Sequence, residues 1–338
     1  MTDPRIDIDG LLVVPRLRIQ NANAISSPLT WGFPSMTAFI GLMQAIERKL
    51  PADFAIGFAG VGVVCHDFQA QATRGSFTHS FHLTRNPVDK DGSTAAIVEE
   101  GRIHLDVTLV FGVQFLQGFA PGDTEGHRRM AASVGDLLAG MRVAGGSVMP
   151  SLRGLRAGQS TPRLLRFDHD ADEQAKLFRK ERGRWLPGFA LVSRDDLLAE
   201  RLAALRQTQP QASALHAWLD LSRLNYRAER RSTTDADTQP STEQVEWTAQ
   251  RPSGWIVPIP VGYAALSDLH AAGTVAGARD RELPFRFVES LYSLGQWISP
   301  HRLRAPNDLL WHAHHDPTSG LYRCINDFGR SLPAPAPL

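Results

Sequence analysis

The hydrophobic pattern changes period within the first fifty residues. LLVVPRLRIQ, residues 11–20, reads as a strand, whereas MTAFIGLMQAIERKL repeats Met36, Phe39, Ile40, Met43, Ile46 and Leu50 at helical spacing until Pro51 stops it. Apolar segments at 54–71 and 76–83 flank a turn at Arg74 and Gly75. Between 102 and 111, Ile103, Leu105, Val107, Leu109 and Phe111 alternate with polar residues. A helical stretch at 123–141 leads into the short extended piece RVAGGSVMPS. The order strand, helix, strands, helix, strand predicts an α+β, ferredoxin-like (RRM-like) domain over residues 1–150, with an extra hairpin strand near 76–84. Such a fold displays bases on an open sheet face. In strand one, Leu11, Val13, Leu17 and Ile19 are expected to face the core and Arg16, Arg18 and Gln20 a partner. Pro15 removes a ladder hydrogen bond from a central strand, so a bulge is expected there.

Beyond Ser151 the patterning becomes helical, at 172–184, 195–206 and 213–224, which predicts a basic helical insertion over 151–228. ERRSTTDADTQPSTEQ, residues 229–244, lacks apolar residues almost entirely and is expected to be a mobile loop. Residues 245–338 are expected to form a carboxy-terminal extension packing on the first domain and on a partner. Within it Trp255 to Tyr263 reads as an edge strand, because of Pro258 and Pro260, and Glu289 to Ile298 as a helix.

Composition adds limits. A chain of 338 residues can bury a sizeable core, and no apolar run reaches the roughly 18 residues of a membrane span. The acidic start MTDPRIDIDG is no secretory leader, and two cysteines, Cys65 and Cys324, suit a reducing cytoplasm as packing residues. Net charge is only +1, yet residues 142–231 hold 17 Lys or Arg against 10 acids, while the rest holds 19 against 25. Of the 36 basic residues 32 are arginine, which forks onto phosphate. A genome that favours arginine explains that ratio but not the clustering.

Several constellations carry candidate chemistry. The loop NANAISSPLTWGFPS offers Asn21, Asn23, Ser26, Ser27, Thr30 and Trp31, amides, hydroxyls and an aromatic ring without an acid, a set suited to bases and sugars or to local backbone bonding. MRVAGGSVMPSLRGLR sets Gly145 and Gly146 beside Arg142, Arg153 and Arg156, letting a backbone approach phosphates, although no nucleotide-hydrolysis motif is present. ARDRELPFRF and its continuation bring in Arg279, Arg281, Arg286, His301, Arg302 and Arg304, a run equally readable as a face salt-bridged to Asp280 and Glu282. WHAHHDP sets His312, His314, His315 and Asp316 in one run, but a closed site needs four converging ligands, the two cysteines show no suitable spacing and a mobile surface cluster explains the run as well, so no metal and no cofactor is expected. Glu99 and Glu100 are adjacent and point apart. His66, His79 and His82 are the only candidates for acid or base work on RNA.

The ordered blocks PRLRIQNANAISSPLTWGFPS, LTRNPVDKDGSTAAIVEEGRIHL, MRVAGGSVMPS, LPGFALVSR, GWIVPIPVGYAALS and ARDRELPFRFVESLYSLGQWISPHRL, spanning about 11 to 323, resemble the family of second proteins of the type I-F CRISPR Csy complex. The resemblance implies a non-catalytic RAMP-superfamily subunit of an RNA-guided surveillance complex. It also implies partners: the 5′ handle of the guide RNA, the large and backbone subunits of the complex, and target duplex DNA near the PAM, with no membrane. On that reading the RNA contacts fall on Arg16, Arg18, Asn21, Asn23, Ser26, Ser27, Trp31, Arg142, Gly145, Gly146, Arg153, Arg156, Arg279, Arg281, His301 and Arg302. An RNA-processing endonuclease and a protein-only adaptor are the alternatives.

Overall fold

Each helical period expected up to residue 224 folds as a helix, and side-chain caps explain where most of them start. The computed structural model describes residues 6–76, 78–89, 91–150, 160–167, 170–232, 243–250 and 253–331. Its elements are β1 (Gly10–Asn23), β2 (Ile25–Ser27), β3 (Thr30–Trp31), α1 (Met36–Glu47), β4 (Ile56–Arg74), β5 (His79–Thr84), β6 (Val98–Glu100), β7 (Arg102–Phe115), α2 (Thr124–Ala139), β8 (Arg142–Val143) and β9 (Gly146–Met149). There follow β10 (Arg163–Arg166), α3 (Ala171–Gly183), β11 (Phe189–Ser193), α4 (Asp195–Thr208), α5 (Ala214–Ser222), β12 (Asn225–Ser232), β13 (Glu243–Gln250), β14 (Trp255–Ala265), β15 (Val288–Ile298), β16 (Trp311–Asp316), β17 (Leu321–Asn326) and α6 (Phe328–Ser331). Ser35, Asp123, Asp170 and Ser213 accept N–H bonds from the first turns of α1, α2, α3 and α5. No helix is long and apolar enough to cross a membrane among the described residues.

The architecture is mixed α/β around a 13-stranded antiparallel sheet. At one end β4, β7, β1 and β9 lie side by side, with α1 connecting β1 to β4 and α2 connecting β7 to the β8–β9 hairpin. At the other end β4, β16, β17, β14, β15 and β11 pair in turn, and β11 also pairs back to β4, so these six strands close a ring. Trp311 is fully buried, and its indole N–H donates to the Leu191 carbonyl at 2.9 Å, from β16 to β11.

The expected bulge is present: the β1–β7 register shifts between Val14 and Leu17, and Arg16 takes φ 51°. Its consequence corrects the expected face assignment. One extra residue reverses the side-chain parity. Leu17 and Ile19 therefore join Leu12 and Val14 against α1 and α2, while Leu11 and Val13 point to the opposite side. That opposite side is not open. Phe178 and Trp185, together with Ala190, Val192, Ile298 and Leu303, pack there on Leu11, Val13, Val64 and Val110. Each fully buried side chain of this size stabilises the fold by about 1.5–3 kcal/mol, so this face is core and no RNA-stacking surface.

Two further expectations are corrected. Glu289 to Ile298 is strand β15 rather than a helix. Ser293, Leu294, Gly295 and Gln296 are all buried, so no period-2 alternation survives. A Cβ on Gly295 would press within 3.0 Å of methyls on Ile259 and Leu191. β14 is not an edge strand, but Pro258 and Pro260 pair only with β15, and the second neighbour, β17, begins at Gly262. Of the segment 229–244, Glu229–Ser232 and Glu243–Gln244 are paired in the β12–β13 hairpin; residues 233–242 lie outside the described set. The histidines of WHAHHDP stand in β16.

The middle segment is held together by buried charge, and β10 carries it onto β1. Glu181, 2% exposed, accepts from Arg163, from Arg184 at 3.1 Å and from the Trp185 indole at 3.2 Å, which binds α3 to β10.

Candidate nucleic-acid interface

The last residues of β1 and the β8–β9 hairpin build a polar cleft of about 380 Å³. The hairpin turn, Ala144 and Gly145, has φ 48° and 79°, the left-handed pair of a two-residue turn in which glycine is favoured. It is fixed to β1 because Asn23 N–H donates to the Ala144 carbonyl at 2.8 Å and Gln20 pairs with Ser147. Gly146 must lack a side chain: a Cβ would lie 2.7 Å from the Ala22 nitrogen. Gly145 itself borders open space.

Register then decides what lines the cleft. Gln71 pairs with Arg102 across β4 and β7, and His82 with Glu100 across β5 and β6. Asn21, at φ 58°, donates its backbone N–H to His104 Nδ1 at 3.1 Å, leaving its amide to the cleft. Arg142 donates to the Gly145 carbonyl at 3.2 Å. Arg102 grips Glu100 through Nε at 3.2 Å and Nη2 at 2.7 Å, and this bond holds the Glu100 carboxyl below its ordinary range. The lining thus offers two guanidiniums, amides at Asn21, Gln20 and Gln71, an imidazole and one carboxylate that is already paired. Phosphate oxygens and base or sugar edges are the groups such donors fit.

Of the residues expected to touch RNA, Asn21, Arg142 and Gly145 meet in this cleft, with Gly146 behind it. Arg18 lies nearby, its guanidinium 3.5 Å from the Pro150 carbonyl. Arg16 is instead paired with Asp106 at 3.0 Å. Asn23 bonds the Ile25 backbone in both directions, and the Ser26, Ser27 and Thr30 hydroxyls bond one another at 2.6–2.8 Å, so this part of the loop is internally satisfied. Arg153 and Arg156 lie outside the described residues. Arg279 and Arg281 sit on the exposed excursion between β14 and β15, and His301 and Arg302 in a separate cleft beside α3. Gln71 and Arg102 were missed by sequence reasoning. The signal for them was the polar half of the strands, to which the pattern alone assigned no role.

Trp31 belongs to a different feature, an apolar cavity of about 360 Å³ with Phe33, Phe68, Phe189, Trp255 and Trp297 on its walls. Trp31, Phe68, Phe189 and Trp255 are each 44–53% exposed. Among the described residues Asp67 carries the one carboxylate in the lining, and no Lys or Arg is part of it. The large apolar residues of the carboxy-terminal extension divide: Trp255, Tyr263 and Phe287 are exposed, while Ile259 is buried and Trp297 packs on the core.

His66, His79 and His82 do not converge. His82 lines the polar cleft and His79 stands 6.0 Å from the Trp31 ring. His66 is clamped, Nδ1 2.7 Å from the Pro187 carbonyl and Nε2 2.7 Å from Thr108 Oγ1. A carbonyl only accepts, so Nδ1 donates and a neutral ring accepts the Thr108 hydroxyl proton at Nε2. Burial lowers the His66 pKa below its ordinary 6.5. The unfolded chain therefore binds a proton that the folded chain refuses, and stability falls as pH drops below about 6.5, by up to about 1.4 kcal/mol per pH unit. His66→Gln is expected to flatten the thermal-melting profile between about pH 7 and pH 5; an unaltered profile would show that His66 does not set it. Burial also pushes the thiols of Cys65 and Cys324 up to about 12, so neither is a nucleophile near neutrality. Among the described residues no group of three or more His, Cys, Asp or Glu is placed to hold a metal ion.

Comparison with known proteins bears on the whole chain. The family model of the CRISPR-associated protein Cas_Csy2 matches residues 12–324. The CRISPR-associated protein Csy2 of Pseudomonas aeruginosa (strain UCBPP-PA14) is 47% identical over 325 residues, which cover 96% of each chain.

Proposed function

Because the chain belongs to the Csy2 family of CRISPR-associated proteins, we propose that it serves a type I-F surveillance complex as a non-catalytic subunit holding the 5′ handle of the guide RNA. The observation that carries this reading is the cleft in which Asn21, Arg102 and Arg142 converge, a donor-rich surface with its one carboxylate paired. Holding needs only phosphate and base-edge contacts, whereas cutting needs a placed acid and base. The β4–β7–β1–β9 order, with α1 and α2 on one face, supports a ferredoxin-like RAMP domain as the scaffold. Its handle-binding surface is then the strand ends and hairpin turn rather than the sheet face.

The large subunit docks, on this reading, at the cavity of Trp31, Phe68, Phe189 and Trp255. Four half-exposed rings are more apolar surface than an isolated subunit leaves in one concavity. A phosphate is disfavoured there by Asp67 and by the lack of a neighbouring cation, while an apolar or cationic side chain of a protein is favoured. The backbone subunit and target duplex complete the set of partners, in the cytoplasm. The test is co-purification with the large subunit and incubation with guide RNA. The RNA is expected to be retained uncut, and Trp255→Glu to abolish the heterodimer. Cleavage that vanishes in His82→Ala would overturn the non-catalytic reading.

A further inference from the structure

We propose that Arg179, Arg182, His301 and Arg302 form a second nucleic-acid site that holds the phosphodiester backbone, separate from the cleft at Asn21 and Arg142. The inference goes beyond handle binding and does not depend on it.

These residues line a cleft of about 360 Å³ together with Arg304, and packing forces them together. Phe178 of α3 and Leu303 are 1% and 0% exposed and belong to the same core cluster. Arg179 follows the first anchor and Arg302 precedes the second. Arg182, three residues on from Arg179, shares its face of α3. The cleft shares no lining residue with the one at Asn21.

What distinguishes this cluster is missing countercharge. Arg163 and Arg184, on the neighbouring face, are paired with Glu181. Among the described residues Arg179, Arg182 and Arg302 make no ion pair and no carboxylate lines the cleft. The acid facing Arg182 is Asp308, which is 3% exposed and already accepts the backbone N–H groups of Arg304 at 2.7 Å and Ala305 at 3.1 Å. Burial, and then the charge of Arg179, weakens the hold of Arg182 on its proton. A fold that crowds uncompensated guanidiniums gains when an anion bridges them. Forked guanidiniums on two elements match the tetrahedral oxygens of successive phosphates. Among the described lining residues no Phe, Tyr or Trp is exposed, and the exposed His301 imidazole is tied to the Ser299 hydroxyl at 2.7 Å, so the cleft suits a backbone better than base edges.

The strand it holds is either guide RNA or duplex DNA, and salt dependence distinguishes them. The full chain and its R179A/R302A variant are titrated by fluorescence anisotropy with single-stranded RNA and with duplex DNA, each about 20 nucleotides or base pairs long, from about 50 to about 300 mM salt. Two lost phosphate contacts lower the log–log slope by about 1.4 on RNA or about 1.8 on duplex, from roughly 0.7 and 0.9 per contact. A fall in one arm names the strand. Unchanged slopes in both arms overturn the proposal. So does a loss of binding to poly-L-glutamate with both nucleic-acid slopes intact, which would assign the cleft to an acidic protein. Both arginines are exposed, so thermal melting is expected to stay within about 0.5 kcal/mol of the parent.

Discussion

Asn326→Asp is expected to remove a large part of the stability of this protein. Asn326 is 4% exposed at the end of β17. Its amide nitrogen donates to the carbonyls of Asp308 and Leu310, both at 3.0 Å, and its oxygen accepts from the N–H of Ser193 at 2.9 Å and of Phe328 at 3.3 Å. One side chain thus ties β11, the turn before β16 and the start of α6 together. Aspartate has the same shape and opens no cavity. It turns two donors into an acceptor facing two carbonyl oxygens, and it buries a charge without a partner. The expected loss is about 3–5 kcal/mol, a large part of the roughly 5–15 kcal/mol a domain possesses. Denaturant titration reads it as a lower midpoint, and the deficit relative to the parent is expected to shrink as pH falls and the introduced carboxyl is protonated. A deficit below about 1 kcal/mol would refute the role given to Asn326.

R102E/R142E is expected to lower guide-RNA affinity by at least about 100-fold at about 150 mM salt. A hydrogen bond to a charged group contributes about 1.5–3 kcal/mol, and two are lost. Removing Arg102 also frees Glu100 to repel phosphate, since Arg102 is its ion-pair partner among the described residues. Stability is expected to hold, because this pair is about one-third exposed on each side and surface pairs contribute about 0–1 kcal/mol. Anisotropy and melting on the same samples separate the two effects. Affinity within about threefold of the parent would remove the cleft from the handle-binding surface.

What was legible in the sequence followed local rules. α1 was readable to within a few residues because the apolar stripe and Pro51 agree. The bulge at Pro15 was readable from proline chemistry, but its effect on parity was not, since that depends on which residue of β7 each position meets. β15 was misread because a strand covered on both faces keeps no alternation. The cleft was half legible. Asn21, Arg142 and Gly145 were marked by composition, whereas Arg102 and Gln71 join them through a pairing between residues 31 apart in sequence. The internal bonding of Ser26, Ser27 and Thr30 was one of two open readings, and only geometry decides between them.

The closed ring of six strands has a consequence for how the chain is made. β4 leaves the ribosome early, but its ring neighbours are β11 and β16, whose paired residues are Phe189, Ala190 and Trp311. At about 5–20 residues per second, Trp311 is synthesised roughly 12–50 seconds after Arg74. Until β11 and then β16 emerge, the growing polypeptide carries a long apolar strand with an unpaired edge, a template for pairing with any other nascent chain on the same message. Codon usage and chaperone supply across this window therefore bear on the yield of intact protein, and a stop codon upstream of Leu321 removes β17 and leaves a product whose ring never closes.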